Sequence, residues 1–149
     1  MADKRFNLLA IILFAIVLAF ALLENSFPRL KWKYRGSDTY DITVDRDGMI
    51  GGTTVTSVRN GHIVSASLDG QSLSNEQEKE LWGVMIEDLF DEASGCHVYS
   101  HPIQCSVFYD PFYGFPMDMR TTCDGRVTDC ETSMRVTQLV LYVSAESQK

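Results

Sequence analysis

The chain has 149 residues, 45% of them hydrophobic, and its 13 basic and 20 acidic side chains give a formal net charge of −7. That apolar content supports a core and excludes wholesale disorder, and the length allows one modest domain with extras. The charge is uneven: residues 1–36 carry a net of +4, and residues 37–149, with seven basic and eighteen acidic side chains, carry −11. A body this acidic is repelled by nucleic-acid phosphates, so nucleic acid is excluded as a partner.

Residues 1–5 form a short flank containing Lys4 and Arg5. Phe6 to Leu23, FNLLAIILFAIVLAFALL, follows with eighteen residues and no formal charge. As a helix it would be about 27 Å long, close to the hydrocarbon thickness of a bilayer. A buried core helix would show a polar face, and none recurs at any period. Two readings stand: an uncleaved transmembrane anchor, or a signal peptide cut near Ala19-Phe20-Ala21. The length of the apolar run favours the anchor. No cysteine follows the run directly, which excludes an amino-terminal lipoprotein linkage.

Residues 24–38 read as a basic juxtamembrane linker. Within it RLKWKYR alternates cations with rings. Trp32 and Tyr34 suit the headgroup zone, and Arg29, Lys31, Lys33 and Arg35 suit lipid phosphates. Membrane lipid is therefore an expected partner. Orientation is contested. Two cations precede the apolar run and four follow it, which by the positive-inside rule alone places the acidic body in the cytoplasm.

The body, residues 39–143, opens with YDITV, Tyr40–Val44, an alternating strand. DRDGMIGG, Asp45–Gly52, reads as a loop; its Asp45-Arg46-Asp47-Gly48 begins like a calcium loop but lacks the later ligands and the closing Glu. Thr53–Val58 and His62–Leu68 form two strands joined by Asn60-Gly61, a strong hairpin signal. His62, on a strand beside a turn, reads as a surface residue or one satisfied in packing. Asp69-Gly70 ends this unit.

A single amphipathic helix is predicted next. Ser74 and Gln77 form its capping box, and Leu81, Trp82, Met85, Ile86, Leu89 and Phe90 lie on one face. Gly95 stops it. Ser106–Tyr109 and Met117–Thr122 then form strands on either side of YDPFYGFP, where Pro111 and Gly114 dictate a reversal. Tyr109 and Phe115 are expected to pack inward. Phe112 and Tyr113 are expected at the uncovered tip, as candidate contacts for a partner. Met134–Val143 is the last strand, and Leu139-Val140-Leu141 suggests burial on both of its faces. Residues 144–149 form a polar tail. The fold class is α+β: a mostly antiparallel sheet of about six strands packed by one helix, after a transmembrane helix.

Four cysteines, Cys96, Cys105, Cys123 and Cys130, at short spacings after an export-like start read as two disulfides. We favour Cys96–Cys105 and Cys123–Cys130, with Cys105 facing Cys123 as the rival. Zinc bound by Cys96, His97, His101 and Cys105 is the alternative chemistry, although no CxxC pair or second arm supports it. His97 and His101 with Asp110 or Asp118 are the nearest approach to an acid–base centre. No nucleophile, phosphate-loop or dinucleotide motif accompanies them.

TTVTSVRNGHIVSASLDGQ, MIEDLFDEA, SVFYDPFYGFPMDMR and VTQLVL, taken in this order, resemble domain of unknown function 6174, an uncharacterised bacterial exported family. The resemblance covers Tyr40 to Leu141. Many members carry cysteines near the first hairpin, whereas here they follow the helix. The resemblance implies an exported, often anchored domain and brings no activity, cofactor or catalytic residue. It agrees with the cysteines in placing the body outside the cytoplasm. The expectation is a single-pass cell-membrane protein with an extracytoplasmic domain that acts as a non-catalytic interaction module or accessory subunit beside a membrane protein partner. The alternatives are a cation- or small-ligand-binding protein and a metal-dependent or acid–base enzyme.

Overall fold

The computed structural model describes residues 27–48, 51–96, 103–123 and 131–142. The expected transmembrane segment, residues 6–23, and the tail lie outside these residues. Among the described residues no helix is long and apolar enough to cross a membrane.

Among the described residues three helices, α1 (Pro28–Arg35), α2 (Glu76–Trp82) and α3 (Ile86–Gly95), accompany seven strands. The strands are β1 (Tyr40–Asp47), β2 (Gly52–Arg59), β3 (His62–Leu68), β4 (Gln71–Ser72), β5 (Ile103–Tyr109), β6 (Pro116–Cys123) and β7 (Thr132–Leu141). They form one sheet in the order β4-β3-β2-β1-β7-β6-β5, and every pairing is antiparallel. The chain runs outward from β1 to one edge, crosses through α2 and α3 to the other, and returns inward so that β7 joins β1.

Alternation in β1 sets the two faces. Tyr40, Ile42 and Val44 are buried, and Asp41 and Thr43 point the other way. Thr54, Thr56 and Val58 of β2, Met119 of β6 and Met134 of β7 are also buried. Together with Ile86, Leu89, Phe90 and Ala93 of α3 they form the core, apart from the two threonines. Each large aliphatic side chain fully buried in this way contributes about 1.5–3 kcal/mol.

The seventh strand comes from Asp69-Gly70. It is not a simple ending but a second two-residue turn, with φ of 50° and 79°, that lays β4 against β3. The first turn, Asn60-Gly61, is as expected, with both φ values positive. β1 runs on to Asp47, so Asp45, Arg46 and Asp47 are strand residues and not part of a loop.

The expected single helix is two. Gly83 donates its N–H to the Lys79 carbonyl, closing α2, and turns extended. Val84 then donates its amide to the buried Thr56 hydroxyl at 3.0 Å, which draws the chain onto the sheet. Asp88 accepts the Met85 N–H at 2.8 Å and starts α3. Leu81, expected on the buried face, is exposed as a result. The start of α2 is also one residue later than expected: Asn75 is the cap and accepts from Glu78 N.

Leu139-Val140-Leu141 is not buried on both faces. Leu139 and Leu141 pack on the core, while Val140 points to the open face and is exposed. β7 is interior to the sheet, but the described helices cover only one side of it. The largest departure is at residues 24–38. The expected linker contains α1, and its Trp32 is a core residue, not one at a lipid interface.

Candidate functional site

The two sequence features singled out as contact candidates, RLKWKYR and YDPFYGFP, meet. The turn is built by Asp110, whose Oδ1 accepts the amides of Phe112 at 2.9 Å and Tyr113 at 2.6 Å. Gly114 adopts φ +79°, returns its amide to the Asp110 carbonyl at 2.9 Å, and lies against the backbone of α1. Lys31 Nζ donates to the Pro111 carbonyl at 3.0 Å, and Arg35 Nη1 to the Phe112 carbonyl at 3.2 Å. The Arg35 guanidinium also stands 5.1 Å from the centre of the Phe112 ring, within cation–π range.

Beneath this layer Trp32 makes edge contacts with Tyr40 and Phe115, at centroid distances of 5.7 and 6.1 Å. Its Nε1 donates to Glu87 at 3.2 Å. The Tyr40 hydroxyl accepts the Ile86 amide at 3.0 Å and points to the other Glu87 oxygen at 3.4 Å. Burial, aided by the Glu87 charge, pushes the Tyr40 phenol well above its ordinary pKa, against the opposing effect of the Ile86 amide. Arg29 pairs with Asp91 and lies over the Phe90 ring. Polar contacts therefore tie α1 to both the aromatic turn and α3, while a buried indole holds it to the core.

Of the predicted contact residues, Phe112 is 59% exposed, whereas Tyr113 packs against the core and meets Phe112 edge-on at 4.8 Å. The tip is thus only half available. Tyr34 is 74% exposed, and Arg29, Lys33 and Arg35 are exposed. Cys96 and Cys105 are bonded, tying the end of α3 to β5. Cys123 is also disulfide-bonded; Cys130 lies outside the described residues. So do His97 and His101, and with them the expected alternatives of a zinc or acid–base centre. His62 is exposed at the start of β3, the surface alternative of the two readings. Among the described residues no group of three or more His, Cys, Asp or Glu could hold a metal ion.

Sequence reasoning missed a stripe on the outer side of α1 made of Phe27, Leu30 and Tyr34, which are 53%, 38% and 74% exposed. The signal was the i, i+3, i+7 spacing that begins just before Pro28, a residue favoured at the first helical position. The density of cations and the apolar run upstream drew the reading toward a linker.

Two further features are polar. A cleft of about 500 Å³ between the α2–α3 break and the sheet is lined by Arg46, Thr54, Leu68, Glu80, Trp82 and Asp88, among others. Arg46 pairs with Glu92 at 3.0 Å, while its Nε is buried with no partner among the described residues. On the open face Asp118 accepts from Arg120 and Arg135. Arg120 foremost, with Arg135, holds its carboxyl below the ordinary range despite some desolvation. Burial works against the charge on Asp41, but hydrogen bonds from Arg59, Tyr142 and Ser57 still lower its pKa.

A model of a protein family described only as being of unknown function (DUF6174) matches residues 25–141, a span that takes in α1 as well as the sheet. No curated protein and no solved structure matches the chain.

Proposed function

We propose, for a chain that belongs to the DUF6174 family of unknown function, the role of a membrane-anchored extracytoplasmic interaction module, an accessory subunit of a membrane protein assembly. The apolar run 6–23 is its anchor. The disulfide between Cys96 and Cys105 supports an oxidising compartment. The observation that carries the reading is the seating of α1 on the aromatic turn. α1 begins five residues after the apolar run ends and is bonded to the turn that presents Phe112. A partner reaching Phe112 would therefore do so beside the bilayer, which favours a membrane protein.

The test is affinity purification of the full chain in mild detergent, with partners quantified by mass spectrometry. A stoichiometric membrane partner that is lost with Phe112→Ser supports the proposal. Equal recovery from the unchanged chain and the variant counts against Phe112 as the contact. Tyr113 should be left intact, because it packs against the core.

The unpartnered Nε of Arg46 favours a second reading, a small anionic ligand held in the cleft beside Thr54 and Trp82. A thermal-shift screen of small carboxylates against the chain and its Arg46→Gln variant tests it. Stabilisation that disappears in the variant is the expected result.

A further inference from the structure

We propose that the outer side of α1 lies on the headgroup region of a bilayer, with Phe27, Leu30 and Tyr34 entering it and Lys33 meeting anionic headgroups. This rests on the anchored reading and goes beyond it, because it assigns which residues touch lipid and fixes the orientation of the whole domain. At 100° per residue, positions 30 and 34 lie about 40° apart on α1 and nearly opposite position 32, and Phe27 is the residue that precedes its first turn. Trp32 is buried in the core, and the three stripe residues are exposed. α1 thus has two apolar sides, only one of which the described residues cover.

Three observations select lipid as the occupant of the other. First, the apolar run ends at Leu23, and the four residues from there to Phe27 span at most about 14 Å even when fully extended. If the run crosses a bilayer, α1 cannot leave its surface by more than that. Second, the stripe is flanked by Arg29 and Lys33 on one side and by Lys31 and Arg35 on the other. An apolar strip between rows of long cations is the pattern of an interfacial helix. Third, the rest of the domain is repelled by an anionic surface, since residues 37–149 carry a net charge of −11. The basic helix is the part of the domain that such a surface attracts. Arg29, Lys31 and Arg35 also hold α1 to α3 and to the turn, so a helix fixed on lipid fixes the sheet with it.

The test uses the full chain reconstituted in anionic vesicles. Tyr34→Trp places an indole in the stripe, and Phe108→Trp places one at an exposed site on the open face of the sheet. The unsubstituted chain supplies the background from Trp32 and Trp82. Lipids brominated near the headgroup should quench and blue-shift the indole at position 34 several-fold more than the one at position 108. Near-ultraviolet circular dichroism should show both variants folded, since both sites are exposed. Resistance to alkaline carbonate extraction reports the anchor separately. A chain that resists extraction but shows equal or absent quenching at the two sites overturns this proposal and leaves the anchor standing. Cross-linking between copies through position 34 without lipid quenching would assign the stripe to self-association and equally overturn it. Release by carbonate defeats the anchored reading and this inference together.

Discussion

A Cβ added to Gly114 would lie 2.4 Å from the carbonyl oxygen of Pro28, so the aromatic turn and the first helix are in backbone contact. The same Cβ would stand 2.7 Å from that of Lys31, and φ at Gly114 is +79°. Gly114→Ala therefore meets a disfavoured backbone conformation and a clash together. The left-handed conformation alone costs about 1–2 kcal/mol. The expected result is a lower denaturation midpoint with faster hydrogen exchange across Leu30–Arg35. Unchanged exchange in α1 would show that the contact is not what holds the helix.

Trp32 separates a core helix from a lipid-facing linker. Trp32→Ala should cost about 3–5 kcal/mol in chemical denaturation, as large-to-small changes of buried aromatics do. Trp32→Phe keeps an aromatic ring but loses the hydrogen bond to the Glu87 carboxylate, which is worth about 1.5–3 kcal/mol. A loss below that level for the Ala variant would mean that α1 is not docked in solution.

Tyr40 gives the fold an alkaline limit. Its folded pKa is raised above the ordinary phenol value by burial. The stability it contributes is fully present below the unfolded pKa and is lost as pH rises through and beyond it. Tyr40→Phe should flatten that alkaline fall. It should also cost about 1–3 kcal/mol at neutral pH, because the buried Ile86 amide loses its acceptor. Denaturation midpoints measured across the alkaline range check both effects. A variant with the parent's alkaline slope would exclude Tyr40 as the group responsible.

The Cys96–Cys105 bond closes a loop with a sequence separation of 9. Joint replacement by Cys96→Ser and Cys105→Ser should cost about 2–3 kcal/mol, the loop-entropy expectation for so short a ring. Non-reducing peptide mapping of the native chain should recover the bridge. Free thiols at both positions in freshly isolated protein would remove the support for an oxidising compartment.

Much of the sheet was legible because its signals are local. Alternation in Tyr40–Val44, the Asn60-Gly61 turn and the Pro111–Gly114 reversal each depend on neighbours in sequence. The helix break at Gly83 was hidden because its cause is distant: the Thr56 hydroxyl, on another strand, accepts the Val84 amide. Val140 was misread for a similar reason. A run of three apolar residues cannot say whether a second layer exists to cover its outer face.

The candidate surface was legible in parts but not as a whole. Phe112 was placed at an exposed tip from composition and turn chemistry alone. That Lys31 and Arg35 would reach the tip could not be foreseen, since those contacts join residues 80 and 77 positions apart. Tyr113, assigned to the same tip, turned inward because α1 and the core take up that side.

Sequence by itself determined the α+β class, the acidic body and the hairpins, because each follows from short-range periodicity, backbone restriction or charge; it favoured the Cys96–Cys105 bridge, which the structure then selected over its rivals. Only the tertiary structure decided that the basic segment is a helix of the domain, with Trp32 inward and Phe27, Leu30 and Tyr34 outward. Which side of such a helix is buried depends on the surface it meets, and here that surface is built from the turn, β1 and α3, all of them later in the chain.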